Sequence, residues 1–181
     1  MSALARHFLE MARNNIWANY RLYEACARLD DAELKAERTS FFPTIHGTLS
    51  HVLIVDWYYI DALERGGRGR SVFERTEPFE HFADLRAAQE ESDRRLIAFC
   101  AARDDRSLED IVVLDRADGP KRETVSAVLA HLFQHQIHHR GQVHAMLSGT
   151  HVPPPQLDEY FLDQDAHLRA EELQTLGLPV R

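Results

Sequence analysis

Eleven histidines occur in the chain, and four of them fall between His131 and His139. At roughly 100° per residue on an α-helix, His131, His135, His138, His139 and Gln142 gather within about 100° of one another on one face. Val128, Leu129, Leu132, Phe133, Ile137, Val143, Met146 and Leu147 flank this polar stripe, so it borders a core. Imidazoles at a core need partners, and a divalent cation is the partner that neutral imidazole satisfies best. His135 and His139 stand four apart, close enough for both rings to reach one ion, as the helical pair does in HExxH proteins. Between them lie Gln136, Ile137 and His138, so the glutamate that serves those proteins as base is missing. A Glu-x-x-His pair is also absent from both long apolar helices, which disfavours a carboxylate-bridged di-iron centre.

Two imidazoles hold an ion weakly, and a third ligand must come from another helix. The candidates are His46 and His51, and His51 is preferred because it lies in the middle of an apolar run while His46 falls in a first turn. Asp56 is five residues beyond His51, roughly 140° round the helix, and should point away from the ion toward a neighbouring helix. Tyr58 returns to the face of His51, where it could orient a substrate or serve as a buried anchor. His7, His81, His144, His151 and His167 have no matching constellation and read as surface residues.

Four main helices are needed to position these groups. Apolar residues at Leu4, Phe8, Met11 or Ala12, Leu22 and Cys26 predict an amphipathic helix over 3–28. Its inward stripe carries Asn15 and Asn19, which either touch water at the helix margin or serve a site. A second helix over 43–65, with Pro43 in its first turn, is apolar nearly all round and must be buried on more than one side. The run GGRGR at 66–70 reads as a flexible connection. A third helix over 82–102 turns Phe82, Leu85, Leu96, Phe99 and Cys100 inward, and its EESDRR run reads as a solvated face. Residues 108–124, with a β-branched run and Asp118-Gly119, predict a small hairpin or extended crossover. The fourth helix covers 125–148, stopped by Gly149 and Pro153 to Pro155. A polar helix over 163–175 packs outside. The predicted fold is an all-α four-helix bundle with a long crossover or small hairpin before the fourth helix, one domain over residues 1–181.

With 21 Lys plus Arg against 29 Asp plus Glu in 181 residues, the chain carries a formal charge of -8. An acidic molecule is repelled by nucleic acid and by anionic membrane, so neither is an expected partner despite the GRGR run. The absence of a signal-peptide pattern and the two well-separated cysteines, Cys26 and Cys100, predict a cytoplasmic protein with reduced core thiols. The aromatic surface of the second helix predicts a homodimer.

At HQIHHRGQVHAML the chain resembles the DinB superfamily, damage-inducible four-helix-bundle metalloproteins, and the resemblance extends over nearly the whole sequence. NNIWANYRLYEA is similar to that family's opening helix. TIHGTLSHVLIVDWYY is similar to its second, with a ligand His followed by Asp and aromatics. DGPKRETVSAVLAHLFQHQIHHRGQ is similar to its turn and fourth helix, and VPPPQLDEYF to its closing segment. The resemblance implies metal ligands at His51, His135 and His139, with a register offset exchanging His131 for His139 as the alternative. His131, His138 and Gln142 become pocket residues or supports of the ligands. Arg140, off the stripe, is expected in a salt bridge or interface contact, and Gly141 lets another helix approach closely or is merely tolerated.

Three neutral imidazoles leave a divalent ion with its charge intact and a position open, the arrangement of catalytic rather than structural zinc. The resemblance implies zinc or nickel most often, with iron or manganese as alternatives, since imidazole alone does not choose. It further implies a metal-dependent transferase or hydrolase acting on a small molecule, either a low-molecular-weight thiol or an electrophile. The alternative is a metal-binding stress-response protein without catalysis.

Overall fold

The computed structural model describes residues 1–180. Its long helices are α1 (Ala3–Cys26), α3 (Ile45–Glu64), α4 (Phe82–Ala101) and α6 (Val125–Leu147). Shorter helices α2 (Asp31–Lys35), α5 (Asp105–Leu108) and α7 (Ala166–Thr175) decorate the bundle, and an antiparallel hairpin, β1 (Ile111–Leu114) with β2 (Lys121–Thr124), precedes α6. The all-α bundle with a hairpin before its fourth helix is as expected. No helix among the described residues is long and apolar enough to cross a membrane.

Local chemistry sets the boundaries. Thr44, not Pro43, caps α3, its side chain accepting from the Gly47 N–H, so the helix begins two residues later than its proline suggests. The unanticipated α2 and α5 each begin with a capping box, Asp30 with Glu33 and Asp104 with Ser107. On α1, Leu4 is exposed and Ala5 takes the inward position. The GGRGR run does not hang loose. It enters a 3-10 turn over Gly69–Glu74, where the Arg70 N–H donates to Asp115 Oδ2 at 2.9 Å. Gly69 has φ +52°, and a β-carbon there would lie 2.6 Å from Asp115 Oδ2, so the close approach to the hairpin loop requires glycine. The second-helix aromatics do not form an exposed surface: Tyr58 and Tyr59 are buried within the chain and Trp57 is half-buried.

The apolar core is split. One cluster joins the first half of α1 (Phe8, Ala12) to the second half of α3 (Ile54, Tyr58), the end of α4 and the start of α6 (Leu129, Phe133). Another joins the second half of α1 (Leu22, Cys26) to the start of α3 (Leu49, Leu53), Leu85 of α4 and the end of α6 (Val143, Leu147). A buried polar layer lies between them along the chain of every long helix: Asn15 and Asn19 of α1, Asp56 of α3, Gln89 and Asp93 of α4, Gln136 and Arg140 of α6.

Asp93 accepts from Asn15 Nδ2 (2.9 Å), Asn19 Nδ2 (2.9 Å) and Gln89 Nε2 (3.2 Å). Asp56 Oδ2 accepts from Gln89 Nε2 (2.7 Å) and from Gln136 Nε2. Arg140 Nη1 donates to the side-chain carbonyls of Asn15, Asn19 and Gln136. Two expectations are corrected here. Asp93 and Ser92, inside the EESDRR run, are buried because Leu85, Gln89, Ser92 and Leu96 repeat at helical spacing along the inward face. Arg140 forms no salt bridge among the described residues; it is 5% exposed, with its guanidinium between α6 and α1.

Burial, then the charge of Asp93, pushes the Asp56 carboxyl up to about 8, and burial pushes Asp93 up to about 6. A carboxyl whose proton is held more tightly in the folded state contributes stability below its unfolded value, and that contribution is lost as pH rises through the folded value. For Asp56 the window runs from roughly 4 to about 8. Thermal melts should therefore show the wild type losing stability between pH 6 and pH 8.5 relative to Asp56→Asn, whose amide cannot ionise. Parallel curves would contradict the assignment. Arg140→Ala should cost about 3–5 kcal/mol in urea denaturation at pH 7, because it leaves the buried Asp93 carboxylate without its counter-charge.

Candidate metal centre

On α6, His135 and His139 precede Gln136 and Arg140 by one residue each. A step of about 100° separates the two pairs, so the polar residues enter the bundle while the imidazoles face α3. His51, held mid-helix on α3, meets them: one ring nitrogen from each of His51, His135 and His139 lies within 4.8 Å of the others. Ring centroids are 5.0 Å apart for His51 and His135, 4.7 Å for His51 and His139, and 4.4 Å for His135 and His139. His51 and His135 are half-buried and His139 is buried.

The nitrogens lie close together. His51 Nε2 and His135 Nε2 stand 3.0 Å apart. Two lone pairs at that separation repel unless one nitrogen carries a proton or a cation lies between them. A tetrahedral ion with bonds near 2.0–2.1 Å would hold its nitrogen ligands about 3.3 Å apart. His139 Nδ1 is 2.7 Å from Gln142 Oε1, an acceptor only, so Nδ1 bears the proton and Nε2 the lone pair. A carbonyl that fixes the far nitrogen of a ligand imidazole is the usual support of a metal-binding histidine. Gln142 Nε2 in turn lies 3.2 Å from His138 Nε2.

Burial pushes His51 down to about 4, with His139 adding to the effect. Burial, then the neighbouring His139 and His51, pushes His135 down to about 3. His139 is also lowered by burial, against its hydrogen bond to Gln142. All three rings are thus neutral at pH 7 and their lone pairs are free to bind a cation. The residues present fit a divalent ion.

His131 lies one turn from His135, its ring 6.5 Å away, and does not join the three-histidine group. His46 is also outside it, with Nδ1 3.5 Å from Glu77 Oε2. Asp56 turns away from the imidazoles into the polar layer, as its angular offset predicts, and bonds to α4 and α6. Tyr58 is an anchor: its hydroxyl donates to the Asp115 carbonyl at 2.6 Å. Gly141 does not permit a close approach, since a β-carbon there would meet nothing within 4 Å. Phe42 joins the site from a connection that has no periodicity to reveal it. Its ring packs 4.2 Å from that of His51 and 5.7 Å from that of His139. The only signal was a pair of phenylalanines in a connection, with the Phe42 carbonyl bonded by Thr48 Oγ1.

The model of the DinB family matches residues 1–172. The chain belongs to the DinB family. It is 26% identical to Protein DinB of Bacillus subtilis (strain 168) over 139 residues, 74% of this chain and 80% of that protein. In fold it is similar to a DinB-like protein from Bacillus cereus ATCC 10987, with TM-score 0.59, 16% identity, and coverage of 77% of this chain and 90% of that one. It is also similar to a DinB-like protein from Bacillus subtilis, with TM-score 0.57, 14% identity, and coverage of 79% and 95%. These likenesses show a DinB-type bundle and leave the chemistry to the side chains described above.

If the three histidines hold a divalent ion, Gln142→Ala in this DinB-family chain should weaken its binding by about 10–100-fold while leaving the helical circular dichroism unchanged. Competition against a chromophoric chelator measures the affinity, and an unaltered value would remove Gln142 from the centre.

Proposed function

We propose that His51, His135 and His139 hold a divalent metal ion, zinc or nickel first, and that the protein is a metal-dependent enzyme acting on a low-molecular-weight thiol. The observation that supports this reading is the convergence of three neutral imidazoles from two helices with no carboxylate among them. Bound there, a divalent ion would keep its full charge and supply Lewis acidity, lowering the pKa of a thiol or water. The chain's own part is to keep the rings neutral by burial, to fix His139 through Gln142, and to cover the His51 and His139 rings with Phe42.

Transfer of a thiol to an electrophile is favoured over hydrolysis. Hydrolysis in the HExxH manner needs a carboxylate base beside the ion, and Asp56, the acid that follows His51 on α3, is engaged by Gln89 and Gln136. A thiol needs only to lose its proton, since the thiolate is itself a strong nucleophile.

Elemental analysis of protein purified without a histidine tag tests the reading. About one divalent ion per chain is expected in the wild type, as one site requires, and little in His135→Ala. Equal metal in both overturns the centre. With metal confirmed, His139→Ala should abolish consumption of a thiol against an electrophilic acceptor while leaving the melting curve of the metal-free protein near that of the wild type.

A further inference from the structure

A cleft of about 260 Å³ opens between the hairpin and the first turns of α6, lined by Tyr59, Arg116, Lys121, Glu123 and His131 among others. Lys121 is paired with Asp118 at 2.9 Å. Arg116 differs. Among the described residues no carboxylate lies within ion-pair distance of it, yet it is firmly placed. Its Nη2 donates to Tyr59 Oη at 2.6 Å, and its guanidinium packs 5.4 Å from the Tyr58 ring centroid and 5.5 Å from that of Tyr59. The backbone that carries it is fixed as well, through the Tyr58 hydroxyl on the Asp115 carbonyl and the Arg70 N–H on the Asp115 carboxylate. The Nε and Nη1 donors of Arg116 make no hydrogen bond to the chain among the described residues. With one Nη2 hydrogen on Tyr59, the second Nη2 hydrogen and a neighbouring free donor still form a planar pair that a carboxylate accepts.

The cleft ends at His131, whose ring lies 6.5 Å from that of His135. Tyr59 stands between Arg116 and His131, whose ring is 5.1 Å away, and His131 is exposed beside His135. Four residues of helix separate His131 from His135, a rise of about 6 Å. Phe42 covers the His51 and His139 rings rather than this side.

We propose that Arg116, with His131 and Tyr59 beside it, is the carboxylate-binding subsite of this cleft, and that it takes the anionic tail of a substrate whose other end reaches the three histidines. The first half stands on the cleft alone. The second half rests on the metal centre proposed above, and narrows its substrate to thiols carrying a carboxylate several bonds from sulfur. Glu123 lines the same cleft and excludes ligands that place a second negative charge against β2.

Two measurements separate the halves. In the first, the full-length protein as purified is titrated with succinate at low ionic strength while nuclear magnetic resonance follows the Arg116 Nε–H and the His131 ring. Saturable shifts at both are expected. The His131 shift should be absent in Arg116→Gln, a variant that retains a donor for Tyr59, and both shifts should be absent when succinamide replaces succinate. Shifts that survive the substitution, that succinamide reproduces, or that never appear overturn the subsite.

In the second, the cobalt(II)-loaded protein is titrated with 6-mercaptohexanoate and with 6-mercaptohexanol, reading the thiolate-to-cobalt charge-transfer absorption. The acid should saturate at about tenfold lower concentration, the effect of one charge-assisted pair, and Arg116→Gln should erase the difference. Equal saturation by the two thiols in the wild type overturns the link between cleft and centre while leaving the centre intact. Failure to take up cobalt overturns the centre and with it the link, and the succinate result alone then decides the subsite.

Discussion

A guanidinium is donor-only and a carboxylate acceptor-only, so an amide placed between them has one orientation. The bundle exploits this rule three times. Asn15, Asn19 and Gln136 each turn an N–H to a buried aspartate and a carbonyl to Arg140. Charge is thus spread over a relay of oriented dipoles rather than concentrated in a direct ion pair, and every long helix contributes a member. The cost of burying Asp56, Asp93 and Arg140 is met only when all of them align, which ties the helices to one register. A slide of any helix by one turn would strand a charge between two apolar clusters. The raised carboxyls and the guanidinium lowered to about 10 record how dry the layer is.

The three-histidine group inherits this register. On α6 the sequence alternates function by single residues, His135 before Gln136 and His139 before Arg140, so fixing the polar pair fixes the azimuth of the imidazole pair. On α3, Asp56 in the layer and His51 toward α6 are likewise parts of one rigid turn-and-a-half of helix. Three rings from two helices can converge because their helices are locked from behind. The layer lies at the level of the imidazoles, where Lewis-acid chemistry gains from a protein that does not flex.

Much of this was legible in the sequence because periodicity reports which residues share a face. The four long helices, the hairpin and the gathering of His51, His135 and His139 follow from spacing and from the resemblance of HxxHHRGQ to a known helix. The polar layer was not legible in full. Asn15 and Asn19 stood out as amides on an apolar stripe, but Asp93 was masked by charged neighbours, since a run such as EESDRR averages two inward residues with four outward ones. Arg140 lies off the histidine stripe as expected, but its burial was not legible, because the histidines mark one side of α6 while a bundle helix faces two neighbours. Phe42 lies in a connection, where no period exists to predict its contact with His51.

The distribution of acids around the imidazoles constrains the chemistry further. Carboxylates usually accompany catalytic imidazole sites as bases or as partners of the far ring nitrogen. Here Gln142, a neutral amide, fills the second role at His139, and the nearby acid of α3 is committed to the layer. A centre with neutral ligands and neutral supports leaves the charge of a bound cation uncompensated, and so exerts its greatest pull on the proton of an incoming group. A substrate that becomes anionic only when its thiol ionises gains most from such a site. A second, permanent charge on that substrate would need its own counter-charge at a distance, and an arginine stacked on tyrosines without an acid of its own is placed to provide it.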